Sequence, residues 1–423
     1  MNRCIATTDA DTLDSSSNIA FHVLLWISLY GRRLRLIRRK CDIISSTSPS
    51  FIVVTRRILF VTDSLFPAGN AQSLHLLSSQ LVEDGLEVHV ATKCNDPFAG
   101  SLADGVVVHP DITHSKRATN EFQAAIGLRK LIKRIAPDIV HSWCGYSNHV
   151  SGLGLTMAGV HGRNVRFYST ELFQQPQATF VTGMARRRIN RRPEKFIVPH
   201  ESLGRSLKGQ GIREHRIAVV PNGISPTSKN RSSARSLLRE TFGLPENARV
   251  AVAVAPLIPR TRIKDLIWAL DLLVVIRDDI HLLVIGEGPH KWQLRHYVGF
   301  TEAENHIHFT GNHPDSLDFI TGADFYWHSH LLNPLPVPVL YAMSAGVPVI
   351  SVFGAGTTEL VVSQQTGLAV NFGARDEFAR WTKYLIEQPH SAEQLSLQGM
   401  EHVRENFAPA QMINGYKEIY AQI

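Results

Sequence analysis

The chain has 423 residues, of which 44% are hydrophobic and 19% charged, which is enough for two cores of ordinary size and excludes a low-complexity protein. Its net charge is +7, but the basic excess is concentrated in residues 1–56, and no base-stacking aromatic residues interrupt the second basic run, RRRINRR at 186–192. The composition therefore predicts a globular protein with no nucleic-acid partner.

The first 56 residues differ from the rest of the chain. Their one apolar run, IAFHVLLWISLY at 19–30, is shorter than the roughly 18 residues that a membrane-spanning helix needs. A basic cluster follows this run instead of preceding it, which is the wrong order for a secretory signal. Two interpretations remain open, an amphipathic anchor at a membrane surface or a leader that is disordered or no part of the fold, and we favour the second.

The four cysteines show neither the pattern of a disulfide framework nor the spacing of a metal site. They are Cys4, Cys41, Cys94 and Cys144. We therefore expect a reduced, cytoplasmic location, no metal and no cofactor. The basic run at 186–192 is either a solvated helix face or a contact for an anionic surface, so peripheral contact with the inner face of the membrane stays open.

Residues 57–235 predict a first domain in which strands and helices alternate. RRILFVTD is typical of a short buried strand, and the helix after it places Leu74, Leu77 and Leu81 on one face before Gly85, a common helix end. LEVHVAT, VVVHP and DIVHSW predict further strands, with an amphipathic helix between the last two. Such alternation implies right-handed crossovers and a parallel sheet covered by helices on both faces.

A segment rich in Ser, Lys and Arg, SPTSKNRSSARS, interrupts the alternation, and we place a domain boundary there, between residues 235 and 236. Residues 236–423 repeat the pattern and end in an amphipathic helix that we expect to pack back across the cleft. The sequence thus predicts an α/β protein of two Rossmann-like domains facing across a cleft. Ligands of open parallel sheets bind beyond the carboxyl ends of the strands, so the loops there are the candidate site.

Three glycine-bearing loops follow predicted strands. PAGNAQ opens a helix, so Gly69 and Asn70 would border the cleft, where the helix N-terminus offers free N–H groups to an anion. VIGEGP allows a close backbone approach to a ligand at Gly286 and Gly288. FGAGTTELV carries Glu359 just after a predicted helix start with a threonine cap.

A histidine pair ends another predicted strand. His328 and His330 flank Ser329 at the end of DFYWHSH, and a functional role in the cleft and a purely structural one are both open. None of the loops has the GxGxxG fingerprint, which disfavours a nicotinamide-dependent enzyme.

Taken in chain order, eight segments resemble the family-four, retaining glycosyltransferases of the GT-B fold. They are PAGNAQ, VVPNGI, LIPRTRIKDLIWAL, LLVIGEGP, IHFTGN, AMSAGVPVI, GTTELV and TGLAV. The resemblance covers about residues 57–423. It implies transfer of a sugar from a nucleotide-diphospho-sugar, held without a metal by the second domain, to a glycan or lipid-linked acceptor on the first domain, with retained anomeric configuration.

The resemblance breaks down at the residues with which the family holds its donor. Pro256 and Thr261 stand where the family carries the Arg and Lys that neutralise the donor diphosphate, and Arg262 stands where a Gly follows that Lys. Asn333 and Tyr341 stand where the family carries two Glu, one near the transferring sugar and one on the nucleotide ribose. The donor site is therefore expected to be degenerate.

Two hypotheses follow from this pattern. In the first, the chain is a glycosyltransferase whose donor is bound by Gly286, Gly288, Asn333 and Glu359, with Arg262 replacing the missing cations. In the second, it is a catalytically inactive GT-B protein that acts as a binding partner, for example of an active glycosyltransferase. Neither hypothesis assigns a catalytic residue.

Overall fold

The computed structural model describes residues 56–66, 71–92, 96, 98–110, 121–143, 145–159, 165–172, 193–225, 229–330, 336–354 and 356–421. Among the residues singled out in the sequence, Gly69, Asn70 and Asn333 lie outside the described residues. Residues 1–55 and the basic run at 186–192 also lie outside them.

The described strands form one seven-stranded and one six-stranded sheet, both parallel. The strands are β1 (Arg57–Thr62), β2 (Glu87–Ala91), β3 (Val107–His109), β4 (Ile139–Trp143), β5 (Arg166–Thr170), β6 (Lys195–Val198), β7 (Ile217–Val219), β8 (Arg249–Val254), β9 (Ile280–Ile285), β10 (Ile307–Gly311), β11 (Phe325–His328), β12 (Val349–Val352) and β13 (Leu368–Val370). The first sheet has the order β3-β2-β1-β4-β5-β6-β7, and the second has the order β10-β9-β8-β11-β12-β13.

Helices connect most consecutive strands and cover the sheets. In the described residues they are α1 (Gln72–Glu83), α2 (Glu121–Ile135), α3 (Gly145–Ala158), α4 (Glu201–Gly209), α5 (Arg231–Phe242), α6 (Ile263–Val274), α7 (Lys291–Val298), α8 (Ser316–Gly322), α9 (Val337–Ser344), α10 (Arg375–Glu387), α11 (Pro389–Asn406) and α12 (Pro409–Ala421). The predicted α/β architecture with two parallel sheets is confirmed.

The central strands form because their apolar residues are buried on both faces. β1 is buried from Ile58 to its end, and β9 is buried along its whole length. Such continuous Val, Ile and Leu runs are typical of a parallel sheet covered on both sides. In the first sheet, Phe60 of β1 lies between Val90 of β2 and His141 of β4. The carboxyl ends of neighbouring strands therefore share one edge of the sheet.

Local signals in the sequence also set the ends of the helices. Helix α1 buries Leu74, Leu77 and Leu81, and the chain leaves it through Gly85, whose φ of 84° favours glycine. Helix α5 begins after Asn230, whose side chain accepts a hydrogen bond from the backbone N–H of Ser233 at 2.9 Å. Leu238 of α5 is buried in the core of the second sheet, so residues 231–242 pack with that sheet.

Two segments pass between the sheets side by side. One leads from β7 to α5, and the other leads from α11 to α12, whose Tyr416 packs in the core of the first sheet. The backbone N–H of Ile224 donates to the carbonyl of Phe407 at 3.2 Å. A Cβ on Gly223 would lie 2.6 Å from Cα of Pro409. The two connections are therefore in direct backbone contact.

Candidate functional site

The candidate site is the carboxyl edge of the second sheet, where the loops after β8, β9, β11 and β12 begin. β8 pairs with both β9 and β11, and β11 pairs with β12, so these four strands end next to one another. The loops after β8 and β9 are joined by backbone hydrogen bonds, from Leu257 N–H to the Glu287 carbonyl and from His290 N–H to the Leu257 carbonyl, both 3.0 Å. The loops thus form one connected surface.

Gly286 and Gly288 make this close approach of the two loops possible. A Cβ on Gly286 would lie 2.0 Å from the carbonyl oxygen of Ala255, and one on Gly288 would lie 2.4 Å from that of Leu257. The φ of Gly286 is 142°, which also disfavours any other residue. Both glycines are therefore required by the backbone of the neighbouring loop, and a donor-binding role for them remains a prediction.

The position of the missing family Lys is closed to solvent. Thr261 is fully buried, and its hydroxyl donates to the carbonyls of Pro256 and Ile258, both at 2.8 Å. These bonds hold the turn Pro259–Thr261 against the end of β8. A side chain at this position faces the turn itself, so a cation for the diphosphate has to come from another residue.

Arg262 follows this turn with a left-handed backbone, φ 56° and ψ 29°. Glycine adopts this conformation freely, which fits the Gly that the family pattern carries here, whereas an arginine is strained in it. Its Nε donates to Oδ2 of Asp265 at 2.5 Å, and its guanidinium carbon lies 5.0 Å from the centre of the Phe372 ring. Asp265 also pairs with Arg375 at 2.8 Å. Arg262 thus shares one carboxylate with Arg375, and its proposed role on the diphosphate remains a prediction.

The two basic residues that flank Arg262 have different surroundings. Nζ of Lys264 lies 4.1 Å from the centre of the Tyr297 ring, a cation–π contact. Arg260 is exposed and makes no ion pair or hydrogen bond with another described residue. Of these three cations, Arg260 is the one without an ion pair, hydrogen bond or ring contact to another described residue.

The histidine pair after β11 is buried. Nε2 of His328 lies 3.1 Å from the carbonyl of His330, and burial lowers the pKa of His328 to about 3. His330 is 9% exposed, and its Nε2 is buried without a partner among the described residues. Burial lowers the pKa of His330 to about 4, and the charge of Arg260 contributes. Both imidazoles are therefore neutral near pH 7.

Tyr341 occupies the position that the family assigns to the ribose carboxylate. It is 3% exposed and packs in the core of the second sheet. Burial raises the pKa of Tyr341 to about 12, and the nearby side chain of Gln72 of α1 opposes this shift. The ring therefore fills this position and lies close to a helix of the first sheet.

Glu359 follows β12 and reaches the first sheet. The predicted helix start is a single 3₁₀ turn, Thr357–Glu359, without a side-chain cap, because the Thr357 hydroxyl donates backward to the carbonyl of Val352 at 2.7 Å. Oε1 of Glu359 lies 3.9 Å from Nδ1 of His200, the residue that caps α4. The structure thus brings Glu359 close to a histidine from the other sheet.

Neither partner in this contact favours its charged form. Burial lowers the pKa of His200 to about 4, with a contribution from Arg205, and burial raises the pKa of Glu359. The charge of Arg205 opposes the shift on Glu359. His200 was not among the residues predicted from the sequence, where its only signal is a polar residue two positions after the short apolar run KFIV.

The described residues contain no group of three or more His, Cys, Asp or Glu side chains that is placed to hold a metal ion. None of the helices in the described part of the chain is both long and apolar enough to cross a membrane.

Two family models match the chain. The model described as Glycosyltransferase Family 4 matches residues 68–228, and the model described as Glycosyl transferases group 1 matches residues 234–402. Together they match more than half of the chain, in the order in which the two sheets occur.

Curated proteins of known activity are similar to the chain over part of its length. It is 21% identical over 236 residues to N-acetyl-alpha-D-glucosaminyl L-malate synthase of Bacillus anthracis, covering 54% of the chain and 62% of the relative. It is 22% identical over 187 residues to the lipopolysaccharide core biosynthesis glycosyltransferase LpsD of Rhizobium meliloti, covering 44% and 53%. These matches thus span less than two thirds of each relative. A GDP-mannose-dependent alpha-mannosyltransferase of Mycolicibacterium smegmatis is 25% identical over 338 residues, covering 74% and 84%.

Solved structures share the arrangement of both sheets. The complex of Anabaena HepE with UDP and glucose superposes with a TM-score of 0.72 at 18% identity, covering 87% of this chain and 100% of that one. Sucrose-phosphate synthase from Thermosynechococcus elongatus superposes with a TM-score of 0.70 at 16% identity, covering 87% and 99%. At such identities the likeness concerns the fold alone, and it confirms the predicted GT-B fold.

Proposed function

Because the chain belongs to the group 1 glycosyltransferases, we propose that it transfers a sugar from a nucleotide-diphospho-sugar to an acceptor hydroxyl with retention of anomeric configuration. One observation carries this proposal: the loops after β8 and β9 form one connected surface at the edge of the second sheet where ligands of open parallel sheets bind. The names of a GDP-mannose-dependent relative and of a neighbour in complex with UDP and glucose support a nucleotide-sugar donor.

In this proposal the second half of the chain holds the donor. Gly286 and Gly288 shape the surface under it, and Glu359 bonds a donor hydroxyl. Asn333, outside the described residues, touches the transferring sugar. Arg262 is the cation that the sequence assigns to the diphosphate, although Asp265 already pairs with it.

The first half of the chain takes the acceptor. Gly69 and Asn70, outside the described residues, would border it, and His328 and His330 would lie on the opposite side of the cleft. We propose a glycan or lipid-linked acceptor, which the names of relatives that act in lipopolysaccharide core and glycolipid synthesis support. We also propose a cytoplasmic location with peripheral contact at the inner face of the membrane, where a lipid-linked acceptor would be met.

The reaction needs stabilisation of charge on the leaving group. The acceptor oxygen bonds to the anomeric carbon while the bond from that carbon to the diphosphate oxygen breaks, and the nucleoside diphosphate leaves with the electron pair. The proton of the acceptor hydroxyl passes to the departing diphosphate. Loss of one donor that stabilises such charge typically lowers the rate by ~10² to 10³, so the activity requires a replacement for the missing family Arg and Lys.

A ligand panel tests the proposal. The full chain is melted with and without UDP-, GDP-, dTDP- and ADP-sugars, and a ligand at 100 times its dissociation constant should add about 2.7 kcal/mol of stability. We expect a clear rise in melting temperature with one nucleotide class, and release of that nucleoside diphosphate in the presence of an acceptor. A chain that binds none of these donors would overturn the proposal.

The inactive-partner hypothesis has one structural observation in its favour. Tyr341 is buried close to Gln72 at the position where the resemblance places the ribose carboxylate. The family matches do not favour this hypothesis over sugar transfer. The same ligand panel decides between them, because an inactive partner that has lost its donor site gives no shift.

A further inference from the structure

A buried ring nitrogen without a partner lies at the end of β11. Nε2 of His330 has no hydrogen-bond partner among the described residues, and the side chain is nine-tenths buried. Folded proteins satisfy nearly all buried polar atoms, because leaving one unpaired forfeits its bond to water. An unpaired imidazole nitrogen at the ligand-binding edge of a parallel sheet is available to bond a group of the ligand.

A hydrogen bond fixes His330 next to the turn after β8. The hydroxyl of Ser329 donates to the carbonyl of Thr261 at 2.6 Å, and both residues are buried. Ser329 precedes His330, and Thr261 follows Arg260. His330 and Arg260 are therefore each one residue away from the hydrogen bond that joins the end of β11 to the turn after β8.

Arg260 brings an unmatched positive charge to this contact. Arg262 pairs with Asp265, and Lys264 lies over the Tyr297 ring, whereas Arg260 is exposed and makes no ion pair with a described residue. Its charge also lowers the pKa of His330, after burial, as expected for two groups that lie close together.

We propose that Arg260 and His330 together hold the diphosphate of the donor, in place of the two family cations that this chain lacks. The proposal rests on the proposed function and assigns a part of its binding site. A guanidinium supplies charge and several N–H donors to phosphate oxygens, and a neutral imidazole with its proton on Nε2 supplies one more.

The structure explains why the cation has moved along the chain. The family Lys position, Thr261, is fully buried and its hydroxyl holds the turn, and the family Arg position is Pro256. The residue after Thr261 turns its guanidinium to Asp265. The residue before it, Arg260, is the exposed cation of the same turn. The replacement is therefore one position earlier than the lost Lys.

Calorimetry on the full chain tests the proposal with UDP, GDP and ADP, each compared with its nucleoside. The ratio of the two dissociation constants isolates what the diphosphate contributes. Arg260→Ala should weaken binding of the preferred nucleoside diphosphate at least tenfold and leave the nucleoside unchanged. His330→Gln should weaken it less than His330→Leu, because an amide can still donate. Arg380→Ala, which removes an exposed arginine of α10, is the control for net charge.

The outcomes separate this proposal from the proposed function. If the wild-type chain binds a nucleoside diphosphate and Arg260→Ala binds it equally well, the assignment is wrong and the function stands. Loss of affinity in Arg262→Ala alone would move the anchor to Arg262 and overturn the assignment too. If Arg260→Ala weakens binding of the nucleoside diphosphate and of the nucleoside equally, no phosphate contact was lost. This result would also overturn the assignment. A wild-type chain that binds neither nucleoside diphosphates nor nucleotide sugars overturns the function and, with it, the anchor.

Discussion

The hydroxyl of Tyr420 in the last helix lies 2.5 Å from Nδ1 of His141 in β4, across 279 positions of the chain. The other ring nitrogen, Nε2, lies 2.7 Å from the hydroxyl of Thr170 in β5. His141 is fully buried, and burial lowers its pKa to about 3. A neutral imidazole with both nitrogens bonded therefore attaches the C-terminal helix to the centre of the first sheet.

Removal of the Tyr420 hydroxyl should destabilise the protein. Tyr420→Phe leaves Nδ1 of His141 buried and unpaired, which should lower the free energy of unfolding by ~1 to 3 kcal/mol in urea denaturation. Tyr384→Phe is the matched control, because the Tyr384 hydroxyl bonds Ser391 at 3.1 Å on an exposed surface. Equal stability of Tyr420→Phe and the wild type would show that the contact contributes nothing.

A methyl group at Gly286 should be poorly tolerated. Gly286→Ala would place Cβ 2.0 Å from the carbonyl oxygen of Ala255 and force an L-residue to a φ of 142°. We expect a loss of at least ~2 kcal/mol in the free energy of unfolding, since the obstacle is backbone that has to move. Thermal and urea denaturation measure this loss.

Gly209 offers the matched control for this substitution. A Cβ there would meet nothing within 4 Å, and Gly209 ends α4. Gly209→Ala should therefore be neutral or stabilise by up to about 1 kcal/mol. If both alanine variants behave alike, the close approach at Gly286 is not a constraint on the fold.

The close approach of the Tyr341 hydroxyl and the Gln72 side chain should appear as coupling between helices of the two sheets. Tyr341→Phe and Gln72→Leu each remove one polar member of this buried pair, so each should cost ~1 kcal/mol or more. The double variant should cost less than the sum of the two, with an interaction energy of ~0.5 to 1.5 kcal/mol in a double-mutant cycle. Strict additivity would contradict a direct bond.

Stability should fall as the pH falls from 7 to 5.5. Five buried histidines have a folded pKa of about 3 or about 4 against an unfolded value of about 6.5; they are His141, His200, His281, His328 and His330. The unfolded chain binds protons in this window and the folded chain does not, so acidification favours unfolding. We expect a loss of at least ~2 kcal/mol in the free energy of unfolding.

A single substitution can verify the origin of this pH dependence. His200→Asn keeps a side chain that can cap α4 and removes one titrating imidazole, so its stability should depend less steeply on pH than that of the wild type. A free energy of unfolding that is constant between pH 7 and pH 5.5 would mean that these histidines take up protons in the folded protein as they do in the unfolded chain.

Much of the fold could be predicted because it depends on neighbours in sequence. The leucines of α1 recur at helical spacing before Gly85, and the strands are continuous apolar runs, so periodicity alone identifies both. The same reasoning located the loops at the carboxyl ends of the strands. The sequence predicts that Gly286 and Gly288 let the backbone approach a ligand. In the structure, they accommodate the backbone of residues 255–257.

The details of the site depend on contacts that no local pattern contains. The sequence shows three basic residues within five positions. It does not show that Arg262 turns to Asp265 through a left-handed backbone, while Arg260 makes no ion pair with a described residue. The predicted helix start at Thr357 failed because its hydroxyl bonds backward to the carbonyl of Val352 instead of capping forward. His200 meets Glu359 only because two sheets pack together.

The paired connections at Ile224 and Phe407 determine how the two halves of the molecule can move. Two connections in backbone contact can act as a hinge. Rotation about the line through them strains no other covalent link between the sheets, whereas twisting or sliding would strain both connections. We therefore expect opening and closing about this axis to be the softest large motion. It would separate Tyr341 from Gln72 and Glu359 from His200, because the two members of each pair belong to different sheets. It would also admit a donor to the edge of the second sheet.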